Sequence, residues 1–293
     1  MSVVVITGGN SGFGLAGVRA FVGNGDTVIA TVRNQQRSDE LLAQLNSEGL
    51  LAAIKVLELS NTASFSCLID ELVDEFGRID VLINNAGILK PGAFEDLTDS
   101  EVRTVMETNF FAPMFLSRCV LPVMRAQGSG QIIMVSSLSG VAGLAGDAFY
   151  AASKFALEGA TEALRHEVDR WGVKVALIEA AQHATAIFNT ANNTETLLPE
   201  NYPVDSPYRT LIETKLQEIA DGMLNARDPQ IVGDLMLEIA QSDSTQLRWQ
   251  ADEQAEMVVS TMHGQSDGER DAFLRVVSDI DWWSSGKACK EDH

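Results

Sequence analysis

Cysteine is scarce in this chain, and what there is lies scattered. Cys67, Cys119 and Cys289 are odd in number and far apart. That spacing builds neither a disulfide framework nor a metal-ligand set, so no metal is expected and a reducing, cytoplasmic setting is. Basic residues are also few. There are 21 Lys plus Arg against 41 Asp plus Glu, a formal net charge of -20. Such a surface repels nucleic acid and anionic membrane, which argues against both as partners. A phosphate-bearing ligand would then need its own local positive site. No apolar run approaches the ~18 residues of a membrane span. The first residues enter a β-branched run directly, with no charged leader expected. Of the four histidines, His166, His263 and His293 carry no visible chemistry.

What is present suits a globular protein with a sizeable core. The chain has 293 residues, 45% hydrophobic and 21% charged. Val3 to Ile6 reads as a buried parallel strand. It runs into Thr7-Gly8-Gly9-Asn10-Ser11-Gly12-Phe13-Gly14 and then an amphipathic segment to about Val22. Strand, glycine-rich turn and helix make a phosphate cradle, because glycines admit a pyrophosphate to the backbone and the helix start supplies N–H groups. A second strand, Thr27 to Val32, ends in Arg33 rather than an acid. An acid there would bind a ribose 2′-hydroxyl, whereas an arginine suits a 2′-phosphate. NADP(H) is therefore expected over NAD(H), with Arg37 as a lesser helper.

Helices over 36–49 and 62–76 alternate with strands over 53–58 and Ile79 to Ile83. This alternation predicts a doubly wound parallel sheet, an α/β fold in three layers. Asn84-Asn85-Ala86-Gly87 closes the fourth strand at the edge where such sheets bind ligands. A long helix over 99–126 is expected to break or bend near Pro113 and Pro122, with Asn109 inside it. Gln131 to Val135 is the fifth strand, Ser136-Ser137 stands at its carboxyl end, and Val173 to Ile178 is the sixth. Between these last two strands lies Tyr150-Ala151-Ala152-Ser153-Lys154, on a helix reaching about Trp171. Tyr150 and Lys154 are four apart and share a helical face. An ammonium beside a phenol favours the phenolate, giving a proton-transfer group suited to an alcohol or a ketone.

Together these residues resemble the short-chain dehydrogenase/reductase family, in its single-domain branch, over roughly 1–180. The resemblance rests on Thr7-Gly8-x-x-x-Gly12-x-Gly14, Asn84-Asn85-Ala86-Gly87, and the set Asn109, Ser137, Tyr150 and Lys154 in order. It implies a Rossmann fold and catalysis by that tetrad. Tyr150 would exchange the proton, Lys154 would lower its pKa and hold the nicotinamide ribose, Ser137 would bond the substrate oxygen, and Asn109 would position a water. Cofactor contacts are implied at Gly8, Asn10, Ser11, Gly12, Phe13, Gly14, Arg33, Glu58, Leu59, Asn85, Ala86, Gly87, Tyr150, Lys154 and Thr185. Thr31-Val32-Arg33-Asn34 and Tyr150 through Gly159 are similar to the retinol and 17β-hydroxysteroid dehydrogenase group, which implies an apolar secondary alcohol or ketone as substrate. The helices over 99–126 and 150–171 are that family's usual dimer surface, so a homodimer or homotetramer is expected. A catalytically weak dinucleotide-binding sensor or subunit stands as the alternative, as does a lyase or dehalogenase on the same scaffold.

The chain departs from the family pattern in two places. Glu58 stands where the family has Asp against the adenine. After the sixth strand, Glu179-Ala180-Ala181-Gln182-His183-Ala184-Thr185 replaces the usual Pro-Gly turn, which changes the backbone freedom beside the nicotinamide. His183 is expected to point to solvent. The remainder, 186–293, is read as a substrate lid and C-terminal helices within one domain. Residues 189–208 read as a mobile loop. Helices are expected over 207–226, 229–241, 252–262 and 268–281, and a last strand from Gln246 to Trp249. Trp282-Trp283 is expected to pack on the body or a partner subunit, and Lys287 to His293 to be disordered.

Overall fold

The computed structural model describes residues 1–185, 187, 198, 199 and 202–287. Seven parallel strands form one sheet: β1 (Val3–Thr7), β2 (Thr27–Val32), β3 (Ala53–Val56), β4 (Val81–Asn84), β5 (Gly130–Val135), β6 (Val173–Glu179) and β7 (Arg248–Gln250). Their spatial order is β3-β2-β1-β4-β5-β6-β7. The helices are α1 (Gly12–Gly23), α2 (Gln35–Glu48), α3 (Phe65–Phe76), α4 (Asp99–Met106), α5 (Ala112–Gln127), α6 (Ala148–Val168), α7 (Arg209–Met223), α8 (Gln230–Gln241), α9 (Glu253–Gly264), α10 (Asp267–Val277) and α11 (Asp281–Ser284). This is the doubly wound Rossmann architecture that the strand–helix alternation predicts.

Strand alternation sends successive side chains to opposite faces of the sheet. Val3, Val5, Ile29, Leu82, Ile132 and Leu177 bury one face under α3, α5 and α6, through Leu72, Leu116, Val120 and Leu157. Val4, Ile6, Val28, Ile83, Ile133 and Ile178 bury the other under α1, α2 and α8, through Val18, Phe21, Leu41, Val232 and Met236. At the closest approach of α1 and α8, a Cβ on Gly233 would lie 2.5 Å from the Ala16 backbone carbon. Nothing larger than glycine fits there without parting the helices.

β1 pairs with β2 on one side and β4 on the other, with Ile6 beside both Ala30 and Ile83. The strand order reverses there, so the chain leaves β1 and β4 towards opposite faces and a crevice opens at their carboxyl ends. The Thr7 hydroxyl holds that crevice in shape by accepting from the Asn85 and Ala86 backbone N–H groups, each at 3.0 Å.

Several boundaries differ from the sequence-based expectation. The 99–126 helix does break near Pro113, as a π-helical turn, Glu107–Phe111, that ends two residues before it. Pro113 follows that turn in the first turn of α5, and Pro122 is accommodated inside α5. The third strand stops at Val56, short of 58, and a short 3-10 turn, Thr62–Ser64, precedes α3. The last strand is Arg248–Gln250, shifted towards the carboxyl end because Leu177, Ile178 and Glu179 pair with those three residues. The predicted 268–281 helix ends at Val277, and the φ of +39° at Asp279 turns the chain before α11. Trp282 is buried against Tyr202, Leu211, Ile212 and Leu216 of the C-terminal region, so the tryptophan pair packs on the body. Most of the expected 189–208 loop, and residues 288–293 of the expected disordered end, lie outside the described residues.

Candidate active site

Asn109, Ser137, Tyr150 and Lys154 meet at the carboxyl edge of the sheet, each brought by a different local device. The π turn widens the helix by one residue and directs Asn109 inward. Its Oδ1 accepts from the Ile88 N–H at 2.9 Å, and its Nδ2 donates to the Ile88 carbonyl at 2.9 Å and to Ser153 Oγ at 3.1 Å. Asn109 thereby pins the backbone just beyond Asn84-Asn85-Ala86-Gly87. Ser137 follows β5 in extended conformation, and its Oγ accepts from the Ser139 N–H at 3.2 Å. Tyr150 and Lys154 lie on consecutive turns of α6. Lys154 is buried, and its Nζ donates to the Val135 carbonyl at 2.8 Å. A Cβ built on Gly87 would lie 3.4 Å from Asn109 Oδ1 and 3.8 Å from Lys154 Nζ, so the three converge on one point.

The electrostatics differ from the simple tyrosine–lysine pair expected from spacing. The ammonium lies 5.7 Å from the centre of the Tyr150 ring and is turned towards Val135. Burial pushes the phenol above its ordinary value and Asp147 pushes the same way, while Ser137 opposes them. Burial also lowers Lys154 to about 8, with Glu158 opposing. Desolvation outweighs the pair attraction because both groups sit in low dielectric.

The glycine turn beside β1 is shaped for a phosphate. Gly8 and Gly12 have φ of +68° and +50°. A Cβ on Gly14 would stand 2.1 Å from the Gly8 carbonyl oxygen. Ser11 caps α1 in extended conformation with no side-chain cap bond, leaving the first helical N–H groups for an anion. The residues present therefore fit a dinucleotide. Thr185 closes the turn from above, with its Cβ 3.1 Å from where a Gly12 side chain would begin. Arg33 is exposed at the end of β2 and forms no hydrogen bond or ion pair among the described residues. Arg37, by contrast, is engaged by Glu40 at 2.7 Å. Glu58 is exposed and folds back on Ser60, while Leu59 is half-buried against the core. Asn10 and Phe13 are half-buried on the turn.

His183 corrects the solvent-facing expectation, because it is 1% exposed. Its Nδ1 lies 3.2 Å from the Ala181 carbonyl, and its ring meets Phe13 edge-on at 5.1 Å between centroids. Its Nε2 lies 3.9 Å from Asp252, whose carboxylate caps α9 through the Ala255 N–H at 3.0 Å. His183 also bridges to Arg227 as an isolated parallel pair. Two residues beyond Ala180-Ala181, this chain packs an imidazole between the nucleotide turn and its C-terminal region.

Sequence reasoning missed two further acidic groups. Asp147 immediately precedes α6, three residues before Tyr150, and its Oδ2 accepts from Ser139 Oγ at 2.6 Å. Burial pushes it up to about 7. Glu158, four residues after Lys154, shares Arg248 Nε with Glu179 at 3.0 and 3.6 Å. Burial raises both carboxyls. Helical spacing from Tyr150 and Lys154 was the available signal for Asp147 and Glu158. Glu179 and Arg248 meet only through β6–β7 pairing.

Comparison with known proteins agrees with this geometry. The short chain dehydrogenase family profile matches residues 2–196. The chain is 35% identical over 209 residues to a 3-ketodihydrosphingosine reductase of Bacteroides thetaiotaomicron, covering 71% of this chain and 74% of that protein. A short-chain dehydrogenase structure from Streptomyces avermitilis superposes with a TM-score of 0.75 at 29% identity, over 97% of this chain and 98% of its own. A putative NAD(P)-dependent gluconate 5-dehydrogenase from Beutenbergia cavernae, solved with bound NADP, gives a TM-score of 0.70 at 25% identity, over 86% and 95%. This chain belongs to the short-chain dehydrogenase/reductase family of oxidoreductases.

Proposed function

We propose that the protein is an NADP(H)-dependent oxidoreductase that interconverts an apolar secondary alcohol and its ketone. The observation that carries this reading is the convergence of Asn109, Ser137, Tyr150 and Lys154 on the edge of the glycine cradle. Ser137 Oγ faces the Tyr150 phenol, so a substrate oxygen placed between them accepts two hydrogen bonds as negative charge develops. Tyr150, held protonated by its surroundings, is ready to donate to that oxygen in the reducing direction. Lys154 and Asn109 hold the Val135 and Ile88 backbones that frame the site. The nicotinamide, when bound, supplies or accepts the hydride. Gly8, Ser11, Gly12 and Gly14 would hold the pyrophosphate, Asn85, Ala86 and Gly87 the adjoining ribose, and Arg33 a 2′-phosphate.

An apolar substrate is the reading implied by the resemblance to the retinol and 17β-hydroxysteroid dehydrogenase group. A relative named as a reductase of a keto compound and a structural neighbour with bound NADP favour the same reading. The reading also takes residues 1–185 as the cofactor-binding and catalytic part of one domain, 186–293 as its lid, and the working unit as a homodimer or homotetramer.

The test is a titration with NADPH and NADH, then ketone-dependent oxidation of the tighter one followed at 340 nm. NADPH is expected to bind more tightly, and Arg33→Ala to weaken it by about 10- to 100-fold, as expected for one charge-assisted contact. Tyr150→Phe is expected to lose about 10²- to 10⁴-fold in turnover. Tighter NADH binding that Arg33→Ala leaves untouched would sink the cofactor assignment.

A further inference from the structure

Lys154 is a buried ammonium whose neighbours on the reacting side carry no negative charge. They are the Val135 carbonyl at 2.8 Å and the Tyr150 ring at 5.7 Å, with Gly87 and Asn109 alongside. All are neutral while Tyr150 keeps its proton. A buried charge without an opposite charge is expensive, and an amine answers by releasing its proton. Something behind the site must therefore hold the ammonium.

Glu158 stands one helical turn further along α6, on the same face, with about 5–6 Å between the two Cβ atoms. Both residues are 4% exposed. Glu158 favours the charged form of Lys154. The pair also meets through β5. Lys154 donates to the Val135 carbonyl, and the next residue, Ser136, brings its Oγ beside Glu158 Oε1. A Cβ on Gly140 would lie 2.7 Å from the first oxygen and 3.3 Å from the second. Neither oxygen has a hydrogen-bond partner among the described residues. Glu158 in turn needs a cation of its own. Arg248 of β7 supplies it, with Nε 3.0 Å from Oε2. Two other acids draw on the same guanidinium. Glu179 of β6 lies 3.6 Å from Nε, and Glu162 of α6, which also faces His166 and His263, lies 2.7 Å from Nη2. Burial and Glu179 both push Glu158 towards its neutral form, and Arg248 opposes them. Without Arg248, Glu158 would take up a proton and cease to be a counter-charge.

We propose that Glu158 and Arg248 are positioning residues: Arg248 holds Glu158 ionised, and Glu158 holds Lys154 as the ammonium. That ammonium steadies the negative charge left on Tyr150 when the phenol gives its proton to a ketone. Charges of alternating sign thus run from the reacting centre, through α6, to the half-exposed Glu162. A strand contributed by the C-terminal region sets the charge of the active-site lysine without touching it. The effect on turnover rests on the oxidoreductase reading above, whereas the charge of Lys154 can be read without it.

The test is a pH titration of the full chain labelled with carbon-13 at lysine Cε and followed by NMR, the Lys154 signal being identified by its loss in Lys154→Met. The pH profile of ketone reduction by NADPH is recorded beside it. In the parent the Lys154 midpoint is expected at about 8. Glu158→Gln is expected to lower it by about one pH unit, and the alkaline limb of kcat/KM should move with it. Arg248→Gln is expected to lower it as well. Loss of a like charge would by itself raise the midpoint, so the sign identifies an action through Glu158. Adding Arg248→Gln to Glu158→Gln should then give no further fall. A merely structural role would reduce activity at every pH and leave the midpoint where it was. An unmoved or raised midpoint in Glu158→Gln overturns the proposal. A raised midpoint in Arg248→Gln overturns the part given to Arg248. The expected NMR shifts without turnover of any ketone by either nucleotide uphold the charge assignment and sink the oxidoreductase reading. If Arg248→Gln does not fold, Arg248→Met, which keeps the packing of the stem, carries the same comparison.

Discussion

Asp147 leaves a mark on stability. Its folded-state carboxyl is raised to about 7 from an ordinary 3.8, so the fold favours the protonated form. The stability this group allows is complete below about pH 4 and is lost as pH rises through about 7. Asp147→Asn, which removes the ionisation, is expected to melt higher than the parent at pH 8 and to match it near pH 4. A gain of about 1 kcal/mol would raise Tm by roughly 2–4 °C, visible in paired thermal melts. His183 packs its ring against Phe13. His183→Ala would empty a buried ring site behind Phe13 and cost about 2–4 kcal/mol in urea unfolding. Because Phe13 lies in the nucleotide turn, NADPH affinity is expected to fall with it. Tyr150, Lys154 and Asp147 could be placed on one face from helical period alone. His183 could not, because its burial depends on Asp252 and Arg227, which reach it only through the folded C-terminal region.

Among the elements, the junction of β1 and α1 constrains the chemistry most. Gly14→Ala would drive a methyl into the Gly8 carbonyl, 2.1 Å away, and backbone cannot move aside cheaply. The variant is expected to lose nucleotide binding in a fluorescence titration by more than about 100-fold while the sheet persists by circular dichroism. Glycine spacing made this junction legible, since the motif states its own geometry. The π turn at Glu107–Phe111 was not legible. Pro113 and Pro122 offered a local reason for a break, but Ile88 and Ser153 supply the partners that hold Asn109 inward, and both lie on other elements. The doubly wound parallel sheet followed from alternation. The exact pairing of β7 did not, because three half-buried residues carry too little pattern to set a register.

At the scale of the whole molecule, the two faces of the sheet are finished by different parts of the chain. The face beneath α3, α5 and α6 is covered mainly by sequence lying between the strands themselves. The opposite face depends on α8, which arrives from the C-terminal region and seats Gly233 on Ala16. Gly233→Leu is expected to pry α8 from α1, costing about 1–3 kcal/mol or more in urea unfolding. It should also weaken NADPH binding, since α1 begins at the phosphate turn. The same seat has a consequence for synthesis. Gln230 of α8 donates to the Ala16 carbonyl across 214 positions of chain. At about 5–20 residues per second, a ribosome needs roughly 10–40 s to bring the second partner out after the first. For that interval the side of α1 around Ala16 that seats α8 has no cover. The nascent chain is therefore a client for whatever shields apolar helices as they emerge, and the nucleotide turn, though among the first stretches made, is among the last to be set.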